Sequence, residues 1–287
     1  MNAPGIGIIG GSGLYQIQGL NDPEEINLDT PFGKPSDVII GGRIHGRQVY
    51  FLPRHGRGHR IMPHDLNHRA NIYALRSLNV RWVICVTAVG SLQEKYVPRD
   101  IVLPSQFFDR TSQSAGHTFF GGGIVAHVSF AEPICTPLRN LLAETAREAD
   151  CPVHNGGTYV NMDGPAFSTR AESEANRHFG FDVIGMTNLG EAKLAREAEI
   201  ALATMAMVTD YDCWKIEEEP VTAQTVIGHL LANAEAAKKI IANVIPRIPL
   251  EPNWPEHRAL DNALLTNKSL WPPETVKRLG VILERLA

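Results

Sequence analysis

Short runs of aliphatic residues recur along the chain and alternate with amphipathic stretches, and no other feature narrows its fold so far. The runs are Gly5–Ile9, Asp37–Ile40, Val49–Pro53, Trp82–Thr87, Ile101–Leu103, Thr158–Met162, Asp182–Met186 and Ala201–Val208. Most are apolar throughout, as strands are when both faces of a sheet are covered. Between them, Leu66–Leu78 carries Ile72, Leu75 and Leu78 on one helical face, and Pro137–Ala149 and Thr222–Val244 are striped in the same way. Thr169-Arg170-Ala171-Glu172 and Asn188-Leu189-Gly190-Glu191 each pair a polar cap with Glu three residues on, which predicts two further helix starts. A last helix is expected to begin after Pro272-Pro273 and run to the C-terminus. Asp109 to Gly123 reads as a long loop and Pro246 to Pro255 as an irregular crossing. The alternation predicts an α/β fold: a single domain, residues 1–287, with a central mixed, largely parallel sheet flanked by helices.

Composition removes whole classes of function. Lys and Arg number 27 against 31 acidic residues, a net charge of -4, so no cationic field exists to attract nucleic acid or an anionic membrane surface. The longest apolar stretches, such as Trp82 to Val89, fall far short of the roughly 20 residues that span a bilayer. Met1-Asn2-Ala3-Pro4 leads straight into an apolar strand with no basic n-region, which gives the expectation of a cytoplasmic protein. Cys85, Cys135, Cys151 and Cys213 are scattered among apolar neighbours and read as reduced thiols. His55, His59, His64 and His68 crowd one segment, but they offer no H-x-x-x-H on a clear helix and no C-x-x-C pair accompanies them, so no metal is expected.

The candidate chemistry lies where strands end. Gly5-Ile6-Gly7-Ile8-Ile9-Gly10 matches G-x-G-x-x-G literally, but its isoleucines are themselves the strand that should precede such a motif, so a dinucleotide site is not expected. Gly10-Gly11-Ser12-Gly13-Leu14 is a turn that can aim backbone N–H groups and the Ser12 hydroxyl at an anion; an ordinary tight turn is the alternative. Pro53-Arg54-His55-Gly56 closes another strand with a guanidinium fork and an imidazole as second donor, the alternative being a structural Arg–carboxylate pair. Thr87-Ala88-Val89-Gly90-Ser91-Leu92 reads as a third small-residue turn. With Thr187 past the Asp182–Met186 strand, these loops could surround one oxyanion. Neutral donors and one Arg suit free phosphate, and the absence of G-x-x-x-x-G-K-[ST] argues against an NTPase. Asp210 and Asp212 follow a buried strand; if extended, both face one way and could read a heterocycle, against a plain solvated turn.

Together these segments resemble the trimeric class of purine nucleoside phosphorylases from Gly5 to about Leu231. Ile61-Met62-Pro63, Ala131-Glu132-Pro133, Gly164-Pro165, Phe167-Ser168, Arg170-Ala171-Glu172-Ser173, Met186-Thr187 and Thr209-Asp210-Tyr211-Asp212-Cys213-Trp214 carry the likeness with the loops above. The resemblance implies that Ser12, Arg54, His55, Thr87, Ala88 and Thr187 hold phosphate. It also implies that Met186 borders the ribose, Phe167 and Ser168 meet the purine, and Asp210 and Asp212 read its N7 and 6-amino edge. His127 matches a residue lent to the neighbouring subunit of a homotrimer. Two positions depart from the pattern: Ala166 stands where Arg is frequent, and Gly190 where Pro commonly precedes the Glu.

The closest branch of that class implies phosphorolysis of 5'-methylthioadenosine to adenine and 5-methylthioribose 1-phosphate in purine and methionine salvage, with inorganic phosphate as co-substrate and no cofactor. Ala223, Val226 and Ile227 fall at i, i+3 and i+4 as an apolar wall for a thioether methyl, or as ordinary core packing. Protonating an Asp to donate to N7 costs about 4 kcal/mol at pH 7, which burial and a second carboxylate can offset. The competing expectations are a phosphorylase for methylthioinosine or adenosine, a hydrolytic nucleosidase, and a non-catalytic nucleotide-binding regulator.

Overall fold

The expected alternation folds into one mixed sheet. A computed structural model describes residues 3–11, 14, 16–17, 19–112, 114–215 and 223–286, with backbone alone at 114–115 and 223–232. Among the described residues the strands are β1 Gly5–Gly10, β2 Asn21–Ile26, β3 Ile39–Ile44, β4 Arg47–Pro53, β5 Val80–Ser91, β6 Ile101–Leu103, β7 Gln106–Arg110, β8 Val153–Asn155, β9 Thr158–Met162, β10 Val183–Gly185 and β11 Ala201–Asp210. The order is β2-β3-β4-β1-β5-β10-β9-β7, with β11 also on β5 and β6-β8 beyond it. β1 lies parallel to β4 and β5, β11 parallel to β5, and β9 parallel to β7 and β10; β2-β3-β4, β10-β5 and β11-β6 pair antiparallel. The sheet is therefore mixed and largely parallel, as expected.

Burial explains which strands the sequence predicts. β1 is buried at all six positions and β11 at nine of its ten, and these read as unbroken apolar runs. β2 is almost wholly exposed and carries Pro23 and acidic residues, the composition of a protected sheet edge, so it has no apolar signal. β7 and the three-residue β8 are likewise peripheral and unpredicted. β5 runs past the expected turn: Thr87 to Ser91 stay in the sheet, because Ala206 to Val208 and Asp210 pair with Thr87 to Gly90 on one side and Val183-Ile184 with Ser91-Gly90 on the other.

The helices are α1 His68–Ser77, α2 Thr136–Glu148, α3 Arg170–His178, α4 Asn188–Glu197, α5 Ala223–Val244 and α6 Pro273–Leu279. α3 has the expected capping box between Thr169 and Glu172. α4 does not: Thr187 occupies its cap position without a side-chain capping bond, and Asn188 is already helical. α6 stops at Leu279 instead of reaching the C-terminus, since Gly280 adopts φ +44 and a 3-10 turn follows. The long loop after β7 contains a 3-10 turn at Ser114–His117. Among the described residues no helix is long and apolar enough to cross a membrane.

The segment after Trp254 is a splint. Ala126 bridges Leu264, His127 N donates to Ala263 O at 2.8 Å, and Leu265 N donates to Val125 O at 2.9 Å. Thr275 Oγ1 donates to Gly122 O at 2.6 Å and Arg278 Nη2 to Gly121 O at 3.1 Å. At the other end of the same loop, Glu197 accepts from Thr118 Oγ1 at 2.8 Å and from Phe119 N at 2.7 Å. His127 is thus an exposed side chain on a pinned backbone.

Candidate active site

Parallel pairing brings the carboxyl ends of β1, β4, β5 and β11 to one edge, where ligands of such sheets bind. Gly10 registers with Pro53, Thr87 with Ala206, and Gly90 with Asp210. Arg54 N donates to Gly10 O at 2.9 Å, and Arg54 Nη1 to Val86 O at 2.9 Å, so the three loop starts are tied together. Ser12 lies outside the described residues.

Arg54 is 3% exposed and forks onto Glu191, Nε to Oε1 at 2.5 Å and Nη2 to Oε2 at 2.9 Å. The Arg–carboxylate pair weighed as the alternative is therefore present. One hydrogen on each of Nη1 and Nη2 is not used by these bonds and suits an anion above the pair. Burial pushes the Glu191 carboxyl up, but the Arg54 charge and hydrogen bonds hold it below its ordinary value. Asn188 Nδ2 donates to Glu191 at 3.0 Å and Thr204 Oγ1 to Asn188 Oδ1 at 2.6 Å, extending a buried polar network under the site. Glu191 was expected to cap its own helix; only its chemistry as a buried anion, invisible in spacing, sends it to Arg54.

His55 Nδ1 lies 2.8 Å from Ile61 O, which only accepts, so Nδ1 carries the hydrogen and Nε2 of the neutral ring is an acceptor. Burial and the Arg54 charge push His55 down to about 4. The expected second donor is thus, at neutral pH, an acceptor for a phosphate hydroxyl. Thr87 and Thr187 are buried and Ala88 is half-buried. At the α4 start the Thr187 hydroxyl makes no capping bond, and Asn161 Oδ1 accepts from Leu189 N at 3.1 Å.

The second half of the site is the segment after β11. A register shift between Val208 and Asp210 turns this strand end, and Gly90 makes room: a Cβ there would stand 3.0 Å from Asp210 Oδ1. Asp210 accepts from Thr209 Oγ1 at 2.7 Å and from Asp212 N at 2.8 Å. Asp212 has φ +53, so the two carboxylates do not share one face of an extended strand as expected; the short Asp210 side chain bonds backbone two residues on and closes a turn. Among the described residues Asp212 Oδ2 is buried without a hydrogen-bond partner, and burial pushes its carboxyl up against the opposing pull of the Ser173 and Ser168 hydroxyls. Trp214 Nε1 donates to Ser91 O at 2.8 Å with Arg177 stacked 3.6 Å over its ring, which fixes the segment.

Ser168 O accepts from Cys213 Sγ at 3.3 Å, setting the Phe167–Ser168 loop beside the carboxylates. Phe167 itself is 50% exposed. Gly164 lets Met186 pack close, since a Cβ there would meet its sulfur at 2.5 Å. Ala223, Val226 and Ile227 are in α5, with side chains outside the described residues. Among the described residues no group of three His, Cys, Asp or Glu is placed to hold a metal.

A family model described as the phosphorylase superfamily matches residues 5–246. S-methyl-5'-thioadenosine phosphorylase of Geobacter sulfurreducens is 51% identical over 97% of both chains. The enzyme of the same name from Gloeobacter violaceus is 53% identical over 98% of this chain and 95% of its own. The crystal structure of a methylthioadenosine phosphorylase from an antarctic soil metagenomic library superposes with a TM-score of 0.93 at 48% identity, covering 99% of this chain and all of that one.

Proposed function

The chain belongs to the phosphorylase superfamily and, within it, to the S-methyl-5'-thioadenosine phosphorylases, and from that premise we propose how its site works. It is a pentosyltransferase that cleaves 5'-methylthioadenosine with phosphate, giving adenine and 5-methylthioribose 1-phosphate. The observation that carries the mechanism is the meeting of Arg54, Thr87 and the Thr187 end of α4 at one sheet edge. Thr87, Ala88, Thr187 and the spare Arg54 hydrogens hold phosphate, and His55 accepts from its hydroxyl. The sugar passes through an oxocarbenium-like state, with Met186 at its flank. The departing adenine accumulates charge at N7, where the Asp210–Asp212 turn supplies a proton or hydrogen bond. Asp212 is the better prepared to be protonated, because its carboxyl is buried and burial pushes it up.

Inorganic phosphate is the co-substrate, and neither metal nor cofactor takes part. We read 1–287 as one cytoplasmic domain working as a homotrimer, in which exposed His127 reaches a neighbour's site. The exposure of Val125 and Leu265 beside it, 47% and 67%, supports that reading. Release of adenine should require phosphate and yield one sugar phosphate per base. Full turnover in phosphate-free, arsenate-free buffer would instead make the enzyme a hydrolase.

A further inference from the structure

Two buried histidines that the mechanism does not use press on the helix that presents Thr187. His68 opens α1 and His117 closes the 3-10 turn Ser114–His117; their rings meet edge-on with centroids 5.8 Å apart, and both are more than nine-tenths buried. They converge on Gly190. A Cβ on Gly190 would stand 2.7 Å from His117 Nε2, 2.8 Å from His117 Cδ2 and 3.0 Å from His68 Cδ2, closer than real carbon contacts come. Gly190 lies in the first turn of α4, three residues after Thr187 and next to Glu191, whose carboxylate holds Arg54. The other end of this segment is set in the same way, for a Cβ on Gly185 would overlap the buried Tyr159 hydroxyl.

We propose that His68 and His117 are positioning residues for the phosphate half of the site, acting through the missing side chain of Gly190. The two rings fix how deeply the start of α4 sits, and so where Thr187, its neighbouring N–H groups and the Glu191–Arg54 pair stand relative to Thr87. Glycine is otherwise a poorer helix former than alanine. Its place is explained by the rings, which a methyl group would push back or be pushed by. Displacements of about 1 Å are enough to change turnover roughly a hundredfold when they move groups that hold a reactant.

The inference rests on the reading of this edge as the phosphate site, and its test separates the two. Initial rates are measured with phosphate and with methylthioadenosine varied in turn, for wild type, Gly190→Ala, His117→Ala and the double variant. Gly190→Ala should raise the phosphate KM about tenfold or more while the nucleoside KM stays within twofold. His117→Ala removes one prop and should raise it about threefold. In the double variant the methyl occupies space the ring has left, so its phosphate KM should fall below that of Gly190→Ala, a coupling a merely additive pair would not show. Should Gly190→Ala fail to fold, His68→Ala and His117→Ala carry the test through the same split between the two KM values. A wild-type phosphate KM in Gly190→Ala, strictly additive effects, or equal changes in both KM values would overturn the proposal. Base release by wild type without phosphate would overturn the phosphate reading itself.

Discussion

The two halves of the proposed site, one read as holding phosphate and the other purine, are built from different materials. The phosphate half is part of the core: Arg54 is 3% exposed, Glu191 is fully buried, and their network reaches Asn188 and Thr204 beneath the sheet edge. The purine half is a turn from Asp210 to Trp214, anchored by buried Tyr211, Asp212 and Trp214, beside a loop whose Phe167 is half in solvent. The first half is therefore held by a buried ion pair and the second by a backbone turn and an exposed loop, so a change of charge weighs on stability in the first and on selectivity in the second.

The largest expected effect follows from the buried pair. Arg54→Ala leaves the Glu191 charge uncompensated and should cost about 3–5 kcal/mol, or roughly 10 °C in Tm for a chain of this size. The sign with pH is defined: Glu191 is held below its ordinary value in the fold, so its contribution is present above about 4.5 and is lost as pH falls through the depressed folded value. Thermal melts of wild type and Glu191→Gln from pH 3 to 7 check this; an acid dependence unchanged in the variant would remove the pair from the account. A variant that lost only phosphate affinity, with an unaltered Tm, would break the contrast between the halves.

Amide substitution in the purine half keeps the shape of the side chain and should act on selectivity more than on Tm. A carboxylate accepts from the 6-amino group of adenine but repels a 6-oxo group, and each mismatched buried polar group costs about 1–3 kcal/mol. Asp210→Asn and Asp212→Asn should therefore lower kcat/KM for methylthioadenosine and shift its ratio to methylthioinosine tenfold or more toward the oxopurine. A ratio that neither variant moves would show that the turn is structural. The smallest effect is assigned to Phe167→Ala, which should alter stability by less than about 0.5 kcal/mol while raising the nucleoside KM several-fold; an unchanged KM would separate this ring from the base.

The same contrast governs what was legible before the structure. Buried apolar strands such as β1 and β11 announce themselves by composition, and so do the glycines and hydroxyls at their ends. The edge strand β2 does not, because its polar residues are chosen for solvent and for protection of an open edge. Within the site, positions were legible and states were not. Arg54 is where a phosphate ligand was expected, but its pairing with Glu191, 137 residues away, depends on which charges burial leaves to compensate each other. The donor expected at His55 became an acceptor through one carbonyl, Ile61 O. Gly190 reads in the sequence as a departure that loosens a helix start; packing makes it the seat of two rings.

The splint between the His127 loop and the C-terminal stretch also sets an order of events during synthesis. Val125 and its partner Thr266 are 141 residues apart. At translation rates of about 5–20 residues per second, the loop waits on the order of ten seconds before the segment that fixes it emerges. Until residues 263–278 have been made, the backbone around His127 has no bridge to Leu264 and no hydroxyl from Thr275. The surface around His127 is therefore completed after the sheet, and a nascent chain carries this loop without its splint until the C-terminal stretch has emerged.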